Sequence, residues 1–353
     1  MRDSDQRPTT QAGSALAPGP LFVVSMERAG SSLLYALLNK HPQVAVMFEA
    51  DLLWVRSAFL KPKTLCDWAE RWDFFNGALR RHGLTPSDVA AGASDYRSAF
   101  RTTHQLFALR KGATIWGDKS PSCHDRLNQM AEDFPEARFI IVWRDPKDNA
   151  NAVLRGASSG NPHFRRRGAV LRGLLGYERL KKECDRLLAR GKPVCQVSFE
   201  DLTSDTANVM RKICNFLQIS YDDSLSNLEG ADRSAIYPGQ HHTYIRGNKI
   251  VREPRPDHVD SALGDKIAGY VARWHNLYGT NWPPYPSHHD GEVWPDDRIS
   301  RVGDAALYHM FRTRDRLTRV ALSFLPISML RWYREKKHSY RSRLDQSLRV
   351  DNA

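Results

Sequence analysis

A chain of 353 residues, 41% hydrophobic and 26% charged, has ordinary globular composition and room for one large α/β domain with additions, or for two small ones. No run approaches the roughly 18 apolar residues of a membrane-crossing helix. The net charge of +12 is uneven: from residue 298 onward thirteen Lys or Arg face five Asp or Glu, so the tail holds +8, and the remainder keeps a mild positive bias that suits an anionic ligand.

Residues 1–20 are polar and rich in Pro, Gly, Ser and Thr, without the apolar core of a signal peptide. They read as a disordered leader, and nothing in them directs the chain out of the cytosol. Leu21–Ser25 (LFVVS) is an apolar, β-branched run. A tight loop holding Gly30 follows, and Leu33, Leu34, Leu37 and Leu38 then recur at helical spacing up to His41-Pro42. Val44–Phe48 is a second extended piece. Residues 50–110 alternate helical patches with aromatic clusters, which predicts a helical insertion. Its Trp54, Trp68, Trp72 and Phe75 would either stack on sugar rings or form the insertion's own core, the simpler reading. Ile115-Trp116 ends a short strand at the turn GDKSP. A helix over 124–134, a buried-type strand at Arg138–Trp143, helices from 147 to about 154 and over 170–190, a strand over 194–199 and helices over 205–217 and 260–278 complete the pattern. Strands separated by helices predict a parallel sheet covered on both faces. Residues 231–258 lack periodicity and predict a long functional loop, and NWPPYP at 281–286 marks a domain end. The five cysteines, Cys66, Cys123, Cys184, Cys195 and Cys214, include no C-x-x-C pair, so neither a disulfide framework nor a zinc site is expected.

Four segments are candidates for chemistry. MERAGSS turns from a strand into a helix, where free amides and the helix dipole favour an anion, with Arg28, Gly30, Ser31 and Ser32 at hand. The alternative for this segment is an ordinary βα turn with a surface Arg. It is not a Walker loop, because Ser25 stands at the first Gly position and Ser31 where Lys should be, which disfavours a magnesium-dependent NTPase or kinase. RFIIVWRDPKDNANAVL places Arg144 at the carboxyl end of a buried strand, where such sheets bind ligands; a turn-holding ion pair is the alternative. WGDKSP offers Lys119, and VSFEDL opens a strand, an acidic turn and an amphipathic helix that read mostly as scaffold.

Together, in this order and spacing, these segments resemble the sulfotransferases that use PAPS (3′-phosphoadenosine 5′-phosphosulfate), in the branch of bacterial carbohydrate-type and protein-tyrosine enzymes. The resemblance runs over residues 21–286: Arg28 to Leu34 is similar to the family's [RK]-S-G-[TS]-[TS]-x-L, Arg144 to Asp148 to R-[DNH]-P-[RK]-D, GDKSP to G-[DE]-K-[ST]-P and SFEDL to [RS]-[YF]-E-D-L. It implies a P-loop-like three-layer fold with a central parallel sheet of four or five strands; to this the residues themselves add the helical insertion and a basic C-terminal helical extension from residue 287. The donor's 5′-phosphosulfate would rest on Arg28, Ala29, Gly30, Ser31, Ser32 and Leu33, its 3′-phosphate on Arg144, and its adenosine end near Phe199. Arg28 and Lys119 would stabilise charge at the bridging oxygen, and Glu49 would be the base, with Asp51 its rival and a helix-start carboxylate its structural alternative. No metal is implied. Three positions depart from the pattern: Ala29 replaces the loop Ser, Ala152 replaces a phosphate-binding Ser with Asn151 as the substitute, and Phe199 replaces a Tyr. The loop HHTYIRGNKIVREPRPD resembles a basic lid, with Arg246, Asn248, Lys249 and Arg252 as candidate phosphate contacts.

The acceptor is expected to be a hydroxyl on a carbohydrate or lipid-linked glycan. A protein tyrosine, or PAP/PAPS binding without turnover, is the alternative. No nucleic-acid signature accompanies the basic charge. The tail places Leu317, Val320, Phe324, Met329 and Trp332 among its basic residues; it would either pack on the domain or lie on an anionic membrane, making a cytoplasmic protein membrane-peripheral.

Overall fold

A computed structural model describes residues 17, 19–50, 65–158, 164, 167–236, 245, 247–250 and 257–279, with scattered positions between 303 and 332. Five strands form one sheet: β1 (Leu21–Ser25), β2 (Val44–Phe48), β3 (Ile115–Lys119), β4 (Arg138–Trp143) and β5 (Val194–Ser198). Their order is β2-β3-β1-β4-β5, and every pairing is parallel. Leu21 aligns with Gly117 on one side and with Arg138 on the other. Gly117 is required by this close approach, since a Cβ there would stand 1.9 Å from the Leu21 carbonyl oxygen.

Strand residues alternate between two cores, as a sheet buried on both faces demands. Leu21, Val23, Val44, Val46, Phe48, Ile140 and Val142 face a cluster formed with α1 (Ser31–Leu38), which carries the leucines of the first helical run. Phe22, Val24, Ala45, Met47, Phe139, Ile141 and Trp143 face the larger cluster. The insertion supplies that side with α2 (Leu65–Asn76), α3 (Ala78–Arg81), α4 (Pro86–Ala90) and α5 (Tyr96–Arg110). Asp95 caps α5 by accepting from the amides of Arg97 and Ser98. Further helices on the large cluster are α6 (Leu127–Asp133), α7 (Pro146–Ser158) and α8 (Arg167–Ala189). The short α9 (Phe199–Ser204) and the amphipathic α10 (Thr206–Leu217) return to the α1 face, and α11 (Ser261–Tyr278), capped by Asp260, closes the large-cluster side.

The α/β fold with a central parallel sheet and a helical insertion is as the sequence predicts. The differences are local. Strand β3 continues through Gly117 and Asp118 to Lys119, and Phe199 opens a helix instead of ending β5. The expected helix at 124–134 starts at Leu127, after a 3₁₀ turn at Pro121–Cys123. Ala17, assigned to the leader, bonds through its amide to the Thr114 carbonyl at 2.7 Å and accepts from the Trp116 indole at 2.6 Å. Cys123, Cys184, Cys195 and Cys214 are free, buried thiols. Among the described residues no helix is long and apolar enough to cross a membrane.

Candidate active site

Because all five strands run parallel, their carboxyl ends share one edge, and each delivers a candidate residue there. β1 leads into the Met26–Gly30 loop, β2 into Glu49, β3 ends at Lys119, β4 leads into Arg144 and β5 into Phe199.

On the donor side, Gly30 takes φ +97 and caps α1 with no side-chain hydrogen bond. The amides of Gly30, Ser31 and Ser32 are those a helix start leaves without an intrahelical acceptor. The Leu33 amide donates to the Gly30 carbonyl at 2.9 Å, and the Ala29 amide to the Met26 carbonyl at 3.1 Å, with the Ala29 methyl buried in the large core. An Ala in place of the usual Ser therefore fits a position that faces inward. Ser31 Oγ lies 2.8 Å from Ser25 Oγ, which ties the helix start to the end of β1.

Arg144 is nine-tenths buried and donates from Nη1 to the Arg28 carbonyl at 2.8 Å. Its guanidinium stands 4.2 Å over the Phe199 ring. The other flank of that ring meets Gly30, where a Cβ would fall 2.1 Å from Phe199 Cδ2. Phe199 thus packs against both Arg144 and Gly30. Asn149 Nδ2 donates to the Glu27 carbonyl at 2.9 Å, so two consecutive loop carbonyls are held from the start of α7. Below, Glu200 accepts from the Asp145 amide and the Ser198 hydroxyl, each at 3.1 Å, and burial pushes its carboxyl above the usual range.

On α7, Asn151 Oδ1 accepts from the His258 amide at 2.8 Å, beside a Lys147–Asp257 ion pair of 2.9 Å. It anchors the segment entering α11.

On the other side of β1, Lys119 is almost fully buried and gathers three groups. Its Nζ lies 2.6 Å from Glu49 Oε1, 3.1 Å from Ser32 Oγ and 4.1 Å over the Phe48 ring. The expected base and the expected donor loop therefore meet at one ammonium. Glu49 has φ +48 and Arg28 φ +66; with the helix-capping Gln218 they are the non-glycine residues of positive φ among those described. Such backbones cost about 1–3 kcal/mol and persist where neighbours enforce them.

Other expectations fall elsewhere. Trp72 is fully buried, with its indole nitrogen 2.5 Å from the Ala50 carbonyl, so it is core and not a sugar platform. Asp51, Trp54, Arg246 and Arg252 lie outside the described residues, as do the side chains of Trp68 and Phe75. Asn248 and Lys249 are exposed; the Asn248 carbonyl accepts from Leu228, and no hydrogen bond or ion pair joins them to the donor loop among the described residues. Asn149, Arg81 and His82 did not stand out in the sequence. Asn149 has a faint signal, one turn past Arg144 in the same motif; the other two have none.

Residues 20–223 match the sulfotransferase family over more than half of the chain. The chain belongs to the sulfotransferase family. That match meets the expectation of an enzyme of the transferase class. This sulfotransferase is similar to protein-tyrosine sulfotransferase A of Caenorhabditis elegans, 22% identical over 238 residues. The similarity covers 62% of this chain and 58% of the worm protein, less than two thirds of that relative's length. Among solved structures it is similar to the sulfotransferase domain of the curacin biosynthetic pathway, with a TM-score of 0.47 and 17% identity over 73% of this chain and 99% of that one. The sulfotransferase domain of the Synechococcus PCC 7002 olefin synthase gives 0.45 and 18%, over 88% and 98%.

Proposed function

We propose that this chain transfers a sulfuryl group from PAPS to a hydroxyl acceptor by in-line displacement, with Glu49 as base. The contact of Lys119 with both Ser32 of the donor loop and Glu49 carries the reading, because it joins donor cradle and base in one hydrogen-bonded unit. The acceptor oxygen forms a bond to sulfur as the bond from sulfur to the bridging phosphate oxygen breaks; PAP leaves with that electron pair, and Glu49 takes the hydroxyl proton. The amides of Gly30 to Ser32, Arg28 and Lys119 oppose the charge that gathers on the leaving oxygen, while Arg144 holds the 3′-phosphate. These are positioning and electrostatic tasks, and the buried cations and fixed amides suit them.

The acceptor we propose is a carbohydrate or lipid-linked glycan hydroxyl, in the cytoplasm. A tyrosyl phenol is the second reading, favoured by the similarity to a worm protein named for protein-tyrosine sulfation. Incubating the protein with labelled PAPS and fractionated extract, then locating the label by mass spectrometry, separates the two; label on neither class overturns the transfer reading in favour of nucleotide binding without turnover. On the donor, Arg144→Ala, which also releases the Arg28 carbonyl, is expected to weaken both ligands but PAP well beyond adenosine 5′-phosphosulfate. Equal losses in calorimetry would remove the 3′-phosphate assignment.

The domain bounds proposed remain 21–286 with a basic extension from 287. That extension touches the domain: the Arg179 guanidinium stands 4.2 Å over the buried Tyr308 ring, and Arg71 donates to the Leu325 carbonyl at 2.9 Å. Leu317 and Trp332 are nevertheless 63% and 59% exposed. With the tail's +8 they support a peripheral contact with anionic membrane. Full-length protein is expected to cosediment with phosphatidylserine vesicles at low salt and to release at high salt; no sedimentation at low salt ends that reading.

A further inference from the structure

Strand β2 is an edge of the sheet, so among the described residues the amides and carbonyls on its outer side have no strand to pair with. Side chains and a turn fill that role. The Val44 amide bonds to the His41 carbonyl at 3.0 Å, and the Val46 amide to Asn39 Oδ1 at 2.9 Å. At the carboxyl end the partners come from the insertion: the Phe48 amide donates to His82 Nε2 at 2.8 Å, and Arg81 Nη2 donates to the carbonyls of Phe48 at 3.0 Å and Glu49 at 3.3 Å. The tautomer of His82 is fixed by this geometry. Nδ1 faces the Ala78 carbonyl at 2.7 Å and must donate, so Nε2 holds the lone pair that accepts from Phe48. On the inner side the Glu49 amide completes the ladder to the Lys119 carbonyl at 2.8 Å, and the next amide, of Ala50, donates to Asp118 Oδ1 at 3.1 Å.

Every peptide group around Glu49 is therefore gripped while the residue sits at φ +48. We propose that Arg81 and His82 are positioning residues that hold the strained Glu49 backbone so that its carboxylate meets Lys119 and faces the donor loop. This rests on the reading of Glu49 as the base. An edge-strand plug alone would need only partners for the amides of β2. The pair does more, since Arg81 reaches past the strand to the Glu49 carbonyl itself. Neither residue reaches Lys119 or the Arg28–Ser32 loop by any hydrogen bond described, so their influence on the chemistry runs through the Glu49 backbone.

The test compares His82→Leu, which removes the acceptor for Phe48, with His82→Gln, whose amide oxygen can restore it. Each is made in the native protein and in Glu49→Gln, with calorimetric PAP affinity and thermal stability measured alongside turnover. His82→Leu is expected to lower kcat about tenfold to a hundredfold, the scale of a misplaced reacting group. Its donor KM and PAP affinity stay put, and His82→Gln recovers most of the loss. In the Glu49→Gln background, His82→Leu is expected to take away little more. An equal further loss in that background, or a folded His82→Leu with native kcat, overturns the proposal while leaving Glu49 as base. If Glu49→Gln itself turns over like the native protein, base and clamp fall together. Should His82→Leu fail to fold, Arg81→Met is read by the same criteria.

Discussion

The two halves of the site solve one problem in different ways. The donor half sits on the central strand β1 and its neighbour β4 and is built from backbone: three helix-start amides, a glycine at φ +97, and Phe199 seated on that glycine under Arg144. The proposed acceptor half sits at the sheet edge: Lys119 of β3 and Arg81 of the insertion contact Glu49, and His82 of the insertion holds the preceding Phe48 amide. Each half contains a non-glycine residue in the left-handed region, and in each an arginine from elsewhere grips that residue's carbonyl: Arg144 for Arg28, Arg81 for Glu49. Both halves thus depend on residues distant in sequence, supplied by β4 and the start of α7 at the sheet centre and by the insertion at the sheet edge.

The contrast breaks most sharply at Glu49. Glu49→Gln keeps the shape and removes the proposed base, so turnover should fall about a hundredfold or more with PAP affinity nearly unchanged. Transfer kinetics beside calorimetry check this, and a large loss from Asp51→Asn with Glu49→Gln near native would move the base to Asp51. The donor half should respond in the opposite sense. Gly30→Val combines a forbidden φ with a collision against Phe199, and PAP affinity should fall by about fivefold to 150-fold, the range that a strain of about 1–3 kcal/mol gives. Gly83→Ala is the control: its φ of +67 is equally positive but nothing lies within 4 Å, so it should cost about 1 kcal/mol of stability and no PAP affinity.

Acid should distinguish the halves next. Burial holds the His82 imidazole down at about 4 and that of His104 at about 3, so both are neutral in the folded protein. In the unfolded chain they protonate near pH 6.5, so stability is fully present above that pH. It is lost as pH falls through about 4 for His82 and about 3 for His104. Protonated His82 would also aim an N–H at the Phe48 amide, so the acceptor half should loosen first. Thermal melts between pH 7 and pH 4 should show a shallower decline in His104→Phe, and hydrogen exchange at the Phe48 amide should rise before that at Val24. The smallest effect is expected from Phe199→Leu, which keeps apolar bulk and loses the cation–π contact; PAP affinity should weaken by about 0.5–2 kcal/mol.

The same division governs what could be read from the residues alone. Leu21–Ser25, Val44–Phe48 and Arg138–Trp143 are continuous apolar runs because both sheet faces are covered, and they were legible as strands for that reason. The end of β3 was not, because Asp118 and Lys119 are buried charges satisfied by Ser120, the Ala50 amide, Ser32 and Glu49, none of which hydropathy registers. The donor loop was legible as a contiguous motif, but the bonds of the Ala29 and Leu33 amides within the chain were not. Arg81 and His82 carried no signal at all. A basic pair beside a glycine at a helix end reads as solvated surface until the sheet edge is brought against it.

The sheet order also sets a timetable. β1 occupies the centre, yet its partners are β3 and β4, which lie far along the chain, and Phe199 arrives only after β5. A ribosome releases LFVVS long before either neighbour exists, with both hydrogen-bonding edges of a hydrophobic strand open. Such non-local parallel pairing is slow to form. The most local motif in the sequence is therefore among the last parts of the molecule to become functional, and its yield in a cell depends on how long the nascent strand can wait uncovered.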